Sequence, residues 1–247
     1  MRIGVAQTFV AEEMKTNTAR MMEKIAAAAD MEIDLLLFPE MCLTGYNFHA
    51  WKNAHFWGEL DESLQKLALQ ASATGMGLVV GRVFLAGDKM YNAATVFLPD
   101  GKSYTYCKNN LTAAEEDHLL PGTAPLSFDF RGYRFGVIIC RDQNYPELAR
   151  KTCKGADALL LPAAHYYKPA EARWKLDKNR ALPLARAVEN RCHVFLANTV
   201  GSHLNLISLG NSLIADPEGI LVAMADEVSE TFITCDLPAA EAGEAGK

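Results

Sequence analysis

An acid, an amine and a thiol each stand directly behind an apolar run. Glu40 closes "IDLLLFPE" (33–40), Lys108 closes "KSYTYCK" (102–108) and Cys140 closes "RFGVIIC" (134–140). Together these types can perform nucleophilic hydrolysis. A thiol attacks as its thiolate. A carboxylate can take the thiol proton and later activate water. An ammonium can stabilise the negative oxygen of a tetrahedral intermediate. Rigid strand ends are where reactive groups are held over a cleft. Each residue also has a plain structural reading: Cys140 as filling at the end of a buried strand, Glu40 as the start of a turn after proline, Lys108 as a solvated strand end. Competing signatures are missing, since the sequence contains neither a GxSxG elbow nor an HExxH helix. The six histidines (His49, His55, His118, His165, His193 and His203) show no partner spacing, so a Cys–His pair is left open but not signalled.

The elements that must position these groups alternate along the chain. "RIGVAQ" (2–7) reads as a strand, and Asn17 and Thr18 are suited to cap a helix running to about Asp30. The run 33–40 reads as a buried strand ended by proline. Leu60, Leu64, Leu67, Ala68 and Ala71 recur at helical spacing, which predicts an amphipathic helix over 59–72. Strands are expected at 77–85, 91–98 and 102–108, the last two joined by the turn "PDG" (99–101). The strand 134–140 is followed by a helix opened by Pro146. A strand at 156–163, a long helix at 170–191 with a kink at Pro183, and strands at 193–199, 211–216, 220–225 and 230–236 complete the series. Helices interleave with strands, yet several strands are joined by hairpin turns. This pattern predicts an α/β fold of mixed sheets with helices packed outside. Many strands are apolar on both faces, which two stacked sheets with outer helices would satisfy. No internal repeat or domain boundary is visible, so residues 1–247 read as one domain whose small, polar tail (239–247) is expected to fray.

Five segments in register carry a family resemblance across nearly the whole chain. They are "LLLFPEMCLTGY" (35–46), "YCKNNLTAAEEDHLLPG" (106–122), "GVIICRDQNYPELAR" (136–150), "ARAVENRCHVFLANTVG" (185–201) and "GNSLIADPEG" (210–219). In these the chain resembles the nitrilase superfamily of carbon–nitrogen hydrolases. The resemblance implies a four-layer α-β-β-α sandwich and a Glu-Lys-Cys triad at Glu40, Lys108 and Cys140. It implies a supporting glutamate eight residues after the lysine, Glu116 in preference to its neighbour Glu115; the alternative for Glu116 is a solvated helix charge. Cys140 would be the nucleophile, the backbone N–H of Arg141 with Lys108 the oxyanion site, and Glu40 the proton carrier. The implied activity is cleavage of a non-peptide C–N bond in a small linear amide through a thioester, giving an acid and ammonia or an amine. An N-carbamoyl amine or amino-acid hydrolase with the same triad is the nearest alternative. A nitrilase, or a binding protein on this fold without turnover, is further off. The resemblance implies no cofactor and no metal, and a homodimer or larger homo-oligomer.

The chain departs from the family pattern after the cysteine, where an aromatic residue is usual and Arg141 stands instead. True nitrilases tend to carry Trp-Glu there, so "CRD" favours amide over nitrile hydrolysis. Asp142 is expected to hold the turn by local hydrogen bonds. Arg141 either grips a substrate carboxylate or pairs with an acid such as Asp142 or Glu147. Asn110 occupies a position where the family usually has histidine. Tyr46, His165, Tyr166 and Tyr167 are pocket candidates, with an ordinary aromatic surface loop the alternative for the last three.

Composition narrows the classes further. Half the residues are apolar and 22% are charged, enough for a large core and against disorder. A net charge of −6 argues against nucleic acid as partner. No apolar run reaches the length of a membrane span, and the N-terminus reads as a first strand, not a signal peptide. The six cysteines include no CxxC pair and are irregularly spaced, which argues against a zinc site or a disulfide framework and for a reduced, cytoplasmic setting.

Overall fold

The computed structural model describes residues 1–203 and 205–238. The first half runs β1 (Arg2–Gln7), α1 (Met14–Asp30), β2 (Leu35–Leu37), α2 (Ala54–Thr74), β3 (Gly77–Ala86), β4 (Lys89–Phe97), β5 (Ser103–Cys107) and the single turn α3 (Ala113–Glu116). The second runs β6 (Leu126–Phe130), β7 (Tyr133–Val137), α4 (Pro146–Thr152), β8 (Ala158–Pro162), α5 (Pro169–Asn190), β9 (His193–Ala197), β10 (Val200–His203), β11 (Leu206–Leu209), β12 (Leu213–Ala215), β13 (Leu221–Met224) and β14 (Thr231–Asp236).

Two six-stranded mixed sheets result, ordered β14-β1-β2-β3-β4-β5 and β13-β12-β9-β8-β7-β6. Each has a parallel centre of three strands, β1-β2-β3 and β7-β8-β9, with antiparallel strands at its margins. Parallel neighbours need a crossover, and α1, α2, α4 and α5 are those crossovers. Side-chain alternation then builds the layers. Leu35, Leu37, Val5 and Val79 point into the core shared with Phe135, Val137 and Leu160 of the other sheet. Leu36, Leu78 and Val80, one residue out of phase, point the other way and pack with Met21 and Ile25 of α1 and Leu60 and Leu67 of α2. The α/β architecture read from the sequence is therefore the one observed.

Several details differ. Helix α1 starts at Met14, so Asn17 and Thr18 lie inside it. Asn17 does not cap: its Nδ2 donates to the carbonyls of Ala11 and Leu43 and its Oδ1 accepts from Ala11 N–H, tying two loops together. Pro183 lies inside α5. Strands β6, β10 and β11 and the turn α3 were not foreseen. The tail 239–247 lies outside the described residues. All six cysteines are free thiols, and no described helix is long and apolar enough to cross a membrane.

Candidate active site

The carboxyl ends of parallel strands are the place where open α/β sheets present functional groups, and two such ends face each other here. Glu40 lies three residues after β2 and Cys140 three residues after β7, one from each sheet, while Lys108 directly follows β5. All three are buried, with Cys140 the most accessible at 9%. Both strand exits turn through left-handed backbone: φ is +53° at Met41, beside Glu40, and +44° at Cys140 itself. A non-glycine residue there is strained, and such strain clusters at functional sites. The Glu40 turn also needs Gly81 on the neighbouring strand, because a Cβ at 81 would sit 2.3 Å from the Pro39 carbonyl oxygen and 2.5 Å from the Met41 nitrogen.

Hydrogen bonds weld the acids to the lysine. Lys108 Nζ donates to Glu40 Oε1 at 2.7 Å and to both oxygens of Glu115, Oε2 at 2.8 Å and Oε1 at 3.0 Å. Asn92, fully buried on β4, donates from Nδ2 to Glu40 Oε1 at 2.7 Å and to Glu115 Oε1 at 2.6 Å. Tyr46 donates its hydroxyl to Glu115 Oε1 at 3.2 Å. Two donors thus converge on one oxygen of Glu40. The other, Oε2, is buried and has no hydrogen-bond partner, and the Glu40 carboxylate lies against the Cys140 thiol.

The electrostatics follow from this count of charges. Burial pushes the Cys140 thiol well up, and the negative charge of Glu40 adds to it; Lys108 and the Ala164 backbone N–H oppose without prevailing. The resting sulfur is therefore a thiol. Burial acts to lower the Lys108 ammonium, but the carboxylates of Glu40 and Glu115 outweigh it and hold the charge in place. Burial likewise acts to raise Glu115, and Lys108 overrides it to keep that carboxyl ionised.

Glu115, not Glu116, is the second carboxylate of the cluster. Glu116 is exposed. The preference for Glu116 overlooked a readable signal, the T-x-x-E spacing of Thr112 and Glu115. Glu115 Oε2 accepts from the Thr112 N–H at 2.8 Å and from its hydroxyl at 2.9 Å, which folds the carboxylate back over the start of α3 toward Lys108. Asn92 was also missed; its signal was an amide in the middle of the apolar strand "YNAATVF", where asparagine is disfavoured.

The turn carrying Cys140 is held as expected from Asp142. Its Oδ2 accepts from Ile139 N–H at 3.0 Å and from Tyr106 hydroxyl at 2.7 Å; its Oδ1 accepts from Asn110 N–H at 2.8 Å and Asn110 Nδ2 at 2.9 Å. Asn110, noted as a departure from the family pattern, thereby fastens the lysine loop to the cysteine turn.

Two cavities share Cys140 as a lining residue. The first, about 270 Å³, is lined by Glu40, Lys108 and Glu115 and walled by Tyr46, Phe48, Tyr166 and Leu206, so the unforeseen hairpin β10–β11 supplies part of its wall. The second, about 210 Å³, lies on the side of Arg141 and His165. Tyr166 borders both. Tyr46 is thus in the first cavity and His165 in the second, while the Arg141 side chain is exposed at the second. His165 is buried, and burial, then the charges of Lys178 and Lys108, push its imidazole down to about 3, so it is neutral. Among the described residues no cluster of three His, Cys, Asp or Glu side chains has a geometry that could hold a metal ion.

The chain is similar to known proteins over most of its length. The model of the carbon–nitrogen hydrolase family matches residues 2–247. A protein of Pyrococcus abyssi named nitrilase is 32% identical over 225 residues, 88% of this chain and 82% of that one. The 2-oxoglutaramate amidase of Bacillus subtilis is 30% identical over 203 residues, 77% of this chain and 73% of that one. A solved amidase from Nesterenkonia sp. AN1 superposes with a TM-score of 0.85 at 25% identity, over 97% of this chain and 94% of that one.

Proposed function

The chain belongs to the carbon–nitrogen hydrolase family and hydrolyses carbon–nitrogen bonds other than peptide bonds; from that premise we propose that it is a thiol amidohydrolase converting a small linear amide to a carboxylic acid and ammonia or an amine. The observation that carries this reading is the arrangement at Glu40, with Oε1 held by Lys108 and Asn92, Oε2 without a hydrogen-bond partner, and the carboxylate adjoining Cys140.

The proposed course follows from the resting protonation state. Glu40 takes the thiol proton as Cys140 Sγ bonds to the amide carbon, so the thiolate exists only as it attacks. The carbonyl π electrons move onto oxygen. Lys108 has three N–H bonds; one serves Glu40 and one is shared across the two oxygens of Glu115, which leaves the third for that oxyanion. The Arg141 N–H opens the turn after Cys140, where backbone donors have no intrahelical partner, and supplies the second contact. Glu40 then gives its proton to the amide nitrogen, the C–N bond breaks, and the amine leaves a thioester. Water, deprotonated by Glu40, attacks the thioester; sulfur departs, recovers the proton and releases the acid.

An N-carbamoyl substrate would follow the same steps and release carbon dioxide with ammonia. The test incubates wild type and Cys140→Ala with simple amides, carbamoyl amino acids and nitriles, recording ammonia and intact mass. Ammonia from wild type alone, with an acyl adduct on Cys140, is the expected result; equal ammonia from Cys140→Ala would sink the mechanism. The proposal includes a homodimer or larger assembly, supported by the exposed apolar residues Leu221, Val222 and Met224 on the edge strand β13 and exposed Ile220 just before it. Light scattering on wild type and Val222→Lys checks it; a monomeric wild type would remove it.

A further inference from the structure

We propose that Tyr166 determines substrate size at this site: its ring is the partition that confines the acyl chain to the first cavity and so restricts the protein to short amides. This rests on the amidohydrolase reading above. Four residues line both cavities, namely Thr112, Cys140, Ala164 and Tyr166. Cys140 would carry the acyl group, and Thr112 and Ala164 are small. Of the four, only Tyr166 brings a large side chain to the boundary, so its ring decides whether the two spaces are separate or one. The first cavity offers about 270 Å³, below the roughly 300–1,000 Å³ of pockets that take drug-sized ligands. Joining it to the second, about 210 Å³, would nearly double the room beside the thioester.

The ring is held from several directions. The Tyr166 N–H donates to the Ala164 carbonyl at 2.9 Å. On one side of it the His165 N–H donates to Asn198 Oδ1 at 2.9 Å. On the other, Tyr167 exchanges both backbone hydrogen bonds with Ile207 of β11, at 3.0 and 2.9 Å. The ring meets that of His203, on β10, with centroids 5.8 Å apart and planes at 45°, within the range aromatic pairs favour. A side chain whose backbone and ring are both supported keeps its place against a longer acyl group. The chemistry of the two spaces points the same way. Tyr46, Phe48 and Leu206 wall the first, which suits a short aliphatic chain. The second is lined by Arg141, Lys175 and Lys178, none of them in an ion pair among the described residues. An apolar chain lying among those charges would cost them hydration.

The experiment compares kcat/KM for butyramide and for 3-phenylpropionamide, whose phenyl group matches the ring removed in Tyr166→Ala. Tyr166→Leu is a milder truncation, Tyr166→Phe keeps the ring, and thermal unfolding shows which variants fold. Calorimetry of 3-phenylpropionamide with Cys140→Ala and Cys140→Ala/Tyr166→Ala adds a readout independent of turnover. Wild type is expected to favour butyramide by on the order of 100-fold, Tyr166→Ala and Tyr166→Leu to narrow that gap by about tenfold or more through KM, and Tyr166→Phe to keep it. Truncated variants that fold and keep the wild-type ratio would overturn the partition and leave the amidohydrolase reading standing. With no ammonia from any amide the amidohydrolase reading falls, and binding decides: affinity for the aromatic amide gained only when the ring is removed upholds the partition, and no gain overturns it.

Discussion

The two cavities lined in common by Cys140 are built from opposite materials. In the first, every charge has a partner: Lys108 lies between two carboxylates, Asn92 bridges them, and aromatic and aliphatic side chains form the walls. In the second, three cations stand without acids around a neutral imidazole and an unsatisfied amide. Buried charges that are paired and fixed keep their geometry and act strongly in a low-dielectric site. Unpaired cations at a mouth act over distance and fade with salt. The contrast separates a side of Cys140 where buried charges are paired and fixed from a side lined by cations without acidic partners.

Substitutions should therefore separate the two sides. The largest effect is expected at Glu40. Glu40→Gln should lower kcat on the order of 10²- to 10⁴-fold for charged and uncharged amides alike, read by ammonia release; a loss confined to anionic amides would break the comparison. Next comes Glu115→Gln, which takes one charge from a buried ionic cluster. It should cost about 3–5 kcal/mol in denaturant unfolding and lower kcat with it. Asn92→Ala removes a donor from both carboxylates. A loss of about 2 kcal/mol is expected, with kcat falling more than tenfold and KM little changed, because Asn92 positions Glu40 without touching substrate. A change in KM alone would place Asn92 in binding instead.

The second cavity gives a pH signature. His165 has a folded value of about 3 against 6.5 for the free side chain. As pH falls below 6.5 the unfolded chain takes up the proton first, so this contribution to stability is complete above 6.5 and is lost toward pH 3. His165→Gln should flatten the thermal-unfolding profile in that window. Lys178→Met removes one of the charges holding the imidazole down, so its titration, followed by NMR, should move upward. The smallest effect belongs to Glu116→Gln: exposed and outside the lysine's reach, it should change stability by no more than about 0.5 kcal/mol and leave kcat unchanged. A loss like that of Glu115→Gln would reverse the assignment of the second carboxylate.

Much of this was legible beforehand because it is local. Leu35–Leu37 and Phe135–Val137 are short apolar runs, and a run buried on both faces announces a central strand. Glu40, Lys108 and Cys140 stood out because each ends such a run, and Asp142 because an aspartate near a sharp turn bonds the backbone around it. Strands β10 and β11 escaped notice because "VGSH" and "LISL" are short and weakly patterned, and pair with one another outside the two main sheets, with one further bridge from Ile207 to Tyr167. Asn92 escaped because its meaning lies in partners 23 and 52 residues away. Glu115 and Glu116 differ by one step along a helical turn, about 100° of direction, which spacing from the lysine does not resolve and the Thr112 cap does.

The sequence by itself determined the alternation of strands and helices, the mixed-sheet class and the three strand ends with chemistry on them, since periodicity and turn residues act over a few positions. Only the tertiary structure decided which glutamate faces Lys108, that one oxygen of Glu40 stays without a hydrogen-bond partner, and that Arg141, Lys175 and Lys178 line a cavity with Cys140. Those outcomes depend on segments from both sheets and on hydrogen bonds whose ends meet only when the layers close, and no local pattern encodes where a distant donor will arrive.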